Sequence, residues 1–241
     1  MLKRNKTRCI SAILLVALLC MLSCNCYIED YYRATDEVQT YFDTYGSVEI
    51  TEINDGLFID GEGTEDALIF YPGAKVEYTA YVPLMYKIAQ QGVDVFIIKM
   101  PCNLAILGVN KADNIFTNYN YAHWYIGGHS LGGAMAASYA AGHTDDLDGL
   151  LLLAAYSTKD LSSSGLKVAT VYGSLDGVLN MDKIISGREL LPADATEVVI
   201  DGGNHAQFGS YGMQSGDGEA EISAEAQQEE TAEAIVQMVE K

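Results

Sequence analysis

The stretch His123-Trp124-Tyr125-Ile126-Gly127-Gly128-His129-Ser130-Leu131-Gly132-Gly133-Ala134-Met135 decides how this chain reads. Its first five residues form a short, largely apolar run bounded by glycine, which suits a strand buried on both faces. From Leu131 to Ala141 small residues dominate, and that run reads as a helix. Between the two, Gly128-His129-Ser130-Leu131-Gly132 is a G-x-S-x-G motif. Glycine on either side lets the backbone turn where a Cβ would obstruct it, so the serine side chain stands exposed above a sheet. In a chain with 23 Gly the motif alone is a modest signal. Its weight comes from the strand before it and the helix after it.

The same alternation extends along the chain. Ala67 to Tyr71, Val93 to Lys99, Gly149 to Ala155, Lys167 to Tyr172 and Thr196 to Ile200 are further short apolar runs bounded by Gly, Pro or Asp. Helical stretches separate them: Tyr78 to Gln91, Ala105 to Asn118, Met181 to Glu189 and Ala224 to Val239. Ahead of them, Ser47 to Asn54 and Leu57 to Asp60 read as a hairpin around Asp55-Gly56, a favoured turn pair. Strand and helix in alternation imply an α/β fold, a mostly parallel, doubly wound sheet of about eight strands with helices on both faces. Active groups are then expected at the C-terminal ends of the strands. Only Tyr156 to Leu166 separate two of the strands at the point where a lid is often inserted, which is too short for a helical cap. The site should be open, with no large cap domain.

A serine hydroxyl needs a base to act as a nucleophile, and the base needs a carboxylate to fix its tautomer. Four His are available. His129 lies inside the turn, His123 begins the preceding strand, and His143 sits in an acidic loop. His205, in Gly202-Gly203-Asn204-His205, follows the last strand and so falls at the same sheet edge as Ser130. The acid is expected between them in sequence. Asp176 follows the strand ending at Tyr172; Asp182 falls inside the next helix and Asp160 at the wrong end of a strand. Two N–H donors should face the developing oxyanion. Leu131 supplies one, and the Pro72-Gly73-Ala74-Lys75 turn supplies the other from Gly73 or Ala74, with Ala74 favoured.

These residues resemble the alpha/beta-hydrolase superfamily, in particular its small family 5 subgroup, related to dienelactone hydrolases and compact bacterial esterases. The likeness rests on Tyr71 to Glu77, Lys99-Met100-Pro101, Ile126 to Met135, Tyr172 to Gly177 and Gly202 to Gly209, and it covers about residues 47–240. Ala74 stands where the subgroup has the second Gly of its Pro-Gly-Gly loop. Dienelactone hydrolases proper carry Cys where this chain has Ser130. The resemblance implies a hydrolase and leaves its substrate open.

With 33 acidic residues against 14 Lys and Arg, the net charge is −19, and no basic patch is present to hold nucleic acid. Lys3, Arg4, Lys6 and Arg8 precede Cys9 to Ser23, an uncharged run of 15 residues, in the order of a secretory signal. The run ends in Met21-Leu22-Ser23-Cys24, which resembles a lipobox with Cys24 as the lipidated residue. An uncleaved N-terminal anchor and a buried core helix are the other readings. The expected organisation is a leader or anchor over 1–26, an extension over 27–46 and the catalytic domain over 47–241.

Five Cys (Cys9, Cys20, Cys24, Cys26 and Cys102) give neither a disulfide framework nor a zinc pattern. The run His143 to Gly149 lacks the spacing of a calcium loop, and no dinucleotide or Walker motif appears. Neither metal nor cofactor is expected. The sequence therefore reads as a membrane-tethered, extracytoplasmic serine hydrolase of small-molecule or polymer-borne carboxylic esters. An acyltransferase on the same triad and a non-catalytic surface binding protein with a vestigial site are the alternatives. Oligomeric state is not legible.

Overall fold

The central apolar runs pair edge to edge because each is too uniformly hydrophobic to leave either face in water, whereas the edge run Thr196–Ile200 is largely exposed. The computed structural model describes residues 29–43 and 46–240, so the leader and Cys24 lie outside the described residues. Eight strands form one sheet: β1 (Glu49–Ile53), β2 (Gly56–Asp60), β3 (Asp66–Tyr71), β4 (Val93–Ile98), β5 (His123–His129), β6 (Gly149–Leu153), β7 (Lys167–Gly173) and β8 (Thr196–Ile200). Their order is β1-β2-β4-β3-β5-β6-β7-β8. The β1–β2 and β2–β4 pairs are antiparallel. All the others are parallel. The α-helices that lie wholly among the described residues are α1 (Gln39–Phe42), α2 (Val82–Ala89), α3 (Ala112–Asn118), α4 (Leu131–Ala140), α5 (Met181–Gly187) and α6 (Ala224–Val239).

Alternation along β3 divides the core. Leu68 and Phe70 face one apolar layer with Leu84, Met85 and Ile88 of α2 and Ile235 of α6. Ala67, Ile69 and Tyr71 face the other, with Ile115 of α3 and Ala136 and Ala137 of α4. Helices thus cover both faces, as the alternation predicts. Residues 154–166, between β6 and β7, contain no helix, and there is no large cap.

Two expected helices begin differently. Tyr78–Tyr81 is a 3-10 turn before α2, and the stretch from Ala105 winds through two 3-10 turns before α3. Gly108, at φ −147° and ψ 35°, interrupts that second stretch, consistent with its poor helix propensity. The extension runs against the domain from Tyr32, whose N–H donates to the Lys75 carbonyl at 2.7 Å while its own carbonyl accepts from Glu77 at 2.9 Å. Among the described residues, no helix is long and apolar enough to cross a membrane.

Helix α4 lies close on the sheet because its first turn carries no bulk. A Cβ on Gly132 would lie inside contact distance of the backbone carbonyl oxygens of Tyr71 and Pro72. Backbone cannot swing aside as a side chain can, so Gly132→Ala should lower unfolding stability by about 3 kcal/mol. A urea midpoint equal to that of the wild type would show that the contact yields.

Candidate active site

Strand β5 ends at His129, and the next residue reverses the chain. Ser130 has φ 54° and ψ −121°, a conformation that costs a non-glycine residue free energy and is held only by its surroundings. Two features hold it. The Ser130 N–H donates to the Leu153 carbonyl at the end of β6, 2.9 Å away. Gly128, beneath it, has no room for a Cβ, which would approach the Tyr71 carbonyl oxygen to 2.6 Å.

Strands β7 and β8 deliver the other two expected residues. Their C-terminal turns are tied together: Ser174 N–H donates to the Ile200 carbonyl at 2.9 Å and Leu175 N–H to that of Gly203 at 2.8 Å. On these turns, His205 Nδ1 donates to Asp176 Oδ2 at 2.8 Å, and both side chains are 1% exposed. The second oxygen of Asp176 accepts from the N–H groups of Val178 (2.9 Å) and Leu179 (2.8 Å). That leaves the carboxylate with one orientation. Asp182 lies on α5, so Asp176 is the acid that meets His205.

The ring of His205 lies 4.5 Å, centroid to centroid, from that of His129, which places it next to the Ser130 turn. Its Nε2 is buried and has no hydrogen-bond partner among the described residues. Ser130 Oγ is therefore not hydrogen-bonded to it. The remaining histidines are engaged elsewhere: His123 with Asp148 at 3.2 Å, and His143 stacked on Tyr139 at 3.9 Å.

Across the turn, the loop after β3 carries Gly73 and Ala74. The Gly73 N–H donates to the Tyr81 hydroxyl at 3.0 Å. The Tyr81 hydroxyl is also hydrogen-bonded to His129 Nδ1 at 2.8 Å. This fully buried Tyr81–His129 pair was not legible as a unit in the sequence. Gly73 is thereby occupied, whereas neither Ala74 N–H nor Leu131 N–H donates to any described residue. The loop is braced from outside by Lys75, whose N–H donates to the Asn103 carbonyl at 2.8 Å. Gln227 of α6 was also missed. Fully buried, it accepts from the Asn204 N–H at 2.9 Å and donates to the Asn204 carbonyl at 2.8 Å, fixing the residue before His205.

A groove of about 730 Å³ runs beside the His205 loop and is walled in part by Glu37, Ala206, Gln207, Met213 and Asp217. Ser130, Leu131, Ala74, Asp176 and His205 do not line it. It is therefore not assigned to substrate. No cluster of three or more His, Cys, Asp or Glu that could hold a metal ion occurs among the described residues.

Burial, and then the adjacent His205, push the pKa of His129 well below its ordinary 6.5. Unfolded, His129 takes up a proton near pH 6.5 that the folded protein refuses. Its contribution to stability is complete above that pH and is lost as pH falls below it. Between pH 7.5 and 5.5 the wild type should therefore lose about 1.4 kcal/mol more unfolding free energy than His129→Gln, the equivalent of one pH unit of linked titration. Equal losses would mean that the buried ring titrates normally.

Comparison with known proteins bears on the family and the fold. The family model described as the alpha/beta hydrolase family matches residues 67–229. Among solved structures, Est1E from Butyrivibrio proteoclasticus is similar with a TM-score of 0.56 at 13% identity, over 81% of this chain and 100% of that one. A dienelactone hydrolase from Anabaena variabilis gives 0.57 at 13% identity, over 80% and 99%. A bacterial heroin esterase gives 0.54 at 13% identity, over 83% and 87%. No curated protein matches the chain. The family match spans more than half of the sequence, and the structures share its fold: this chain belongs to the alpha/beta hydrolase family.

Proposed function

We propose that the protein hydrolyses carboxylic esters with Ser130 as nucleophile, His205 as general base and Asp176 as the residue that orients and charge-stabilises His205. The observation that carries this reading is the buried 2.8 Å Asp176–His205 hydrogen bond beside the strained Ser130 turn. With Nδ1 committed to Asp176, only Nε2 is left to take a proton.

In the first step Ser130 Oγ bonds to the ester carbonyl carbon while its proton passes to His205 Nε2. The carbonyl oxygen becomes an oxyanion facing the Ala74 and Leu131 N–H groups, which have no other work. As the tetrahedral adduct collapses, the bond to the alkoxy oxygen breaks. His205 returns its proton to the departing alcohol, leaving an acyl-Ser130. Water then repeats the sequence, giving its proton to His205, and releases the carboxylic acid with Ser130 restored. The open sheet edge favours esters that are small and accessible, or borne on a polymer, over enclosed lipids. Transfer of the acyl group to another acceptor would use the same first half.

Purified wild type should label at Ser130 with a fluorophosphonate probe and hydrolyse short acyl esters. Ser130→Ala should keep its fold, fail to label, and lose several orders of magnitude in kcat/KM. A folded wild type that does not label would favour a vestigial site, and retained hydrolysis in Ser130→Ala would move the nucleophile elsewhere.

We also propose that residues 1–26 tether this domain outside the cytoplasmic membrane. The support is the order of four cations followed by an uncharged run ending at Cys24. The full chain should fractionate with membranes, and a chain beginning at Tyr27, which keeps the Tyr32–Lys75 contact, should be soluble and as active. Cys24→Ala should abolish lipid labelling; unchanged labelling would remove Cys24 as the attachment point. Full-length protein found free of membranes would refute the tether.

A further inference from the structure

Asp217 lies far along the chain from the candidate acid and base, in the loop between the 3-10 turn Ala206–Phe208 and helix α6. Its carboxylate grips both of their turns. Oδ1 accepts from the N–H of Gly177 at 3.1 Å, the residue immediately after Asp176. The same oxygen accepts from the N–H of His205 itself at 3.1 Å and of Gly218 at 2.8 Å. Oδ2 accepts from the Ala206 N–H at 2.8 Å. A carboxylate has about four acceptor positions, and here all four bonds come from backbone donors, three of them beside the acid or the base.

The loop is shaped to bring this carboxylate in. A Cβ on Gly218 would collide with the Leu175 carbonyl oxygen, and one on Gly177 would approach the Gly216 carbonyl oxygen to 2.7 Å. Glycine on each side lets the loop at 216–218 lie directly on the turn that carries Asp176. Asn204 adds a link on the base side, donating from Nδ2 to the Gly218 carbonyl at 2.8 Å. Charge-assisted bonds to backbone N–H groups are stronger and shorter-ranged in their demands than neutral ones. A single carboxylate holding both turns therefore sets the distance and angle between Asp176 and His205.

We infer that Asp217 is a positioning residue for the reaction: it acts through the backbone to keep His205 Nδ1 on Asp176 and so keep Nε2 aimed at Ser130. This rests on the hydrolase reading above. A negative charge behind the His205 amide also favours the imidazolium that forms when Ser130 is deprotonated. Neither effect requires Asp217 to touch substrate. Its loss should accordingly appear in the chemical step and not in substrate binding, because small misplacements of a base cost rate steeply.

The test compares wild type, Asp217→Ala and Asp217→Asn in three measurements: ester kinetics, the rate of fluorophosphonate labelling of Ser130, and the low-field proton resonance of the His205 Nδ1–H. Asp217→Ala should lower kcat and the labelling rate about 100-fold with KM within about twofold, and shift or remove the resonance. Asp217→Asn keeps one acceptor oxygen but turns an amide N–H toward backbone donors. It should lose about tenfold and keep a displaced resonance, and it decides the matter if the alanine variant does not fold. Folded variants with wild-type kcat and an unmoved resonance would overturn the inference, as would a change confined to KM. A wild type that neither labels nor hydrolyses would end the hydrolase reading and this role with it. The resonance would still report separately whether Asp217 holds the His205–Asp176 pair.

Discussion

The close seating of the β5–α4 turn under the end of β3 is the constraint on which the site is built. Gly128 and Gly132 carry no Cβ, and either would meet the Tyr71 backbone if they did. Because they do not, the loop after β3 lies over the turn that holds Ser130. The strain at Ser130 is sustained by that packing together with the bond from its N–H to Leu153. The small-residue character of α4 is thus a requirement of the site, and its helix propensity is secondary.

Around this seat the structure repeats one device, a side chain that satisfies the backbone groups of a loop. Tyr81 takes the Gly73 N–H and is also hydrogen-bonded to His129. Gln227 takes both backbone groups of Asn204. Asp176 takes two N–H groups of its own turn before it meets His205. Loops cannot stabilise themselves through ladders as strands do, so buried loop backbone must find partners of this sort. Each one converts a loop position into a fixed coordinate for the residue beside it.

This explains which parts were legible beforehand. The strands were: the central ones are buried on both faces and leave continuous apolar runs, and even at the exposed edge Thr196–Ile200 coincides with its expected span, while the other strands differ only at their ends. That Ser130, Asp176 and His205 lie on the turns after β5, β7 and β8 was legible because the strands could be placed. The hairpin followed from Asp55-Gly56. Helix starts at Tyr78 and Ala105 were not, since 3-10 and α turns share one apolar periodicity over so few residues. Nor were Tyr81, Gln227 and Asp217: a side chain bonding to remote backbone leaves no spacing in the sequence. Asp217, within Gly216-Asp217-Gly218, reads only as a turn. The extension over 27–46 likewise concealed Tyr32, which pairs with Val76 and whose main chain bonds to Lys75 and Glu77.

The acid surplus has to be divided before it says anything about chemistry. A net charge of −19 describes how the surface meets other charged bodies. The carboxylates at the site answer to a different demand. Asp176 has its charge met by two N–H groups and an imidazole, and Asp217 by four N–H groups. Both hold positions that a neutral amide would fill less well, since an amide offers one acceptor oxygen where a carboxylate offers two. His205 and Asp176 are both 1% exposed, so burial and bonding act together on the orientation of the ring. Fixed negative charge beside it, bonded to backbone N–H groups and to the ring, holds the imidazole next to the Ser130 turn while its Nε2 keeps no hydrogen-bond partner among the described residues.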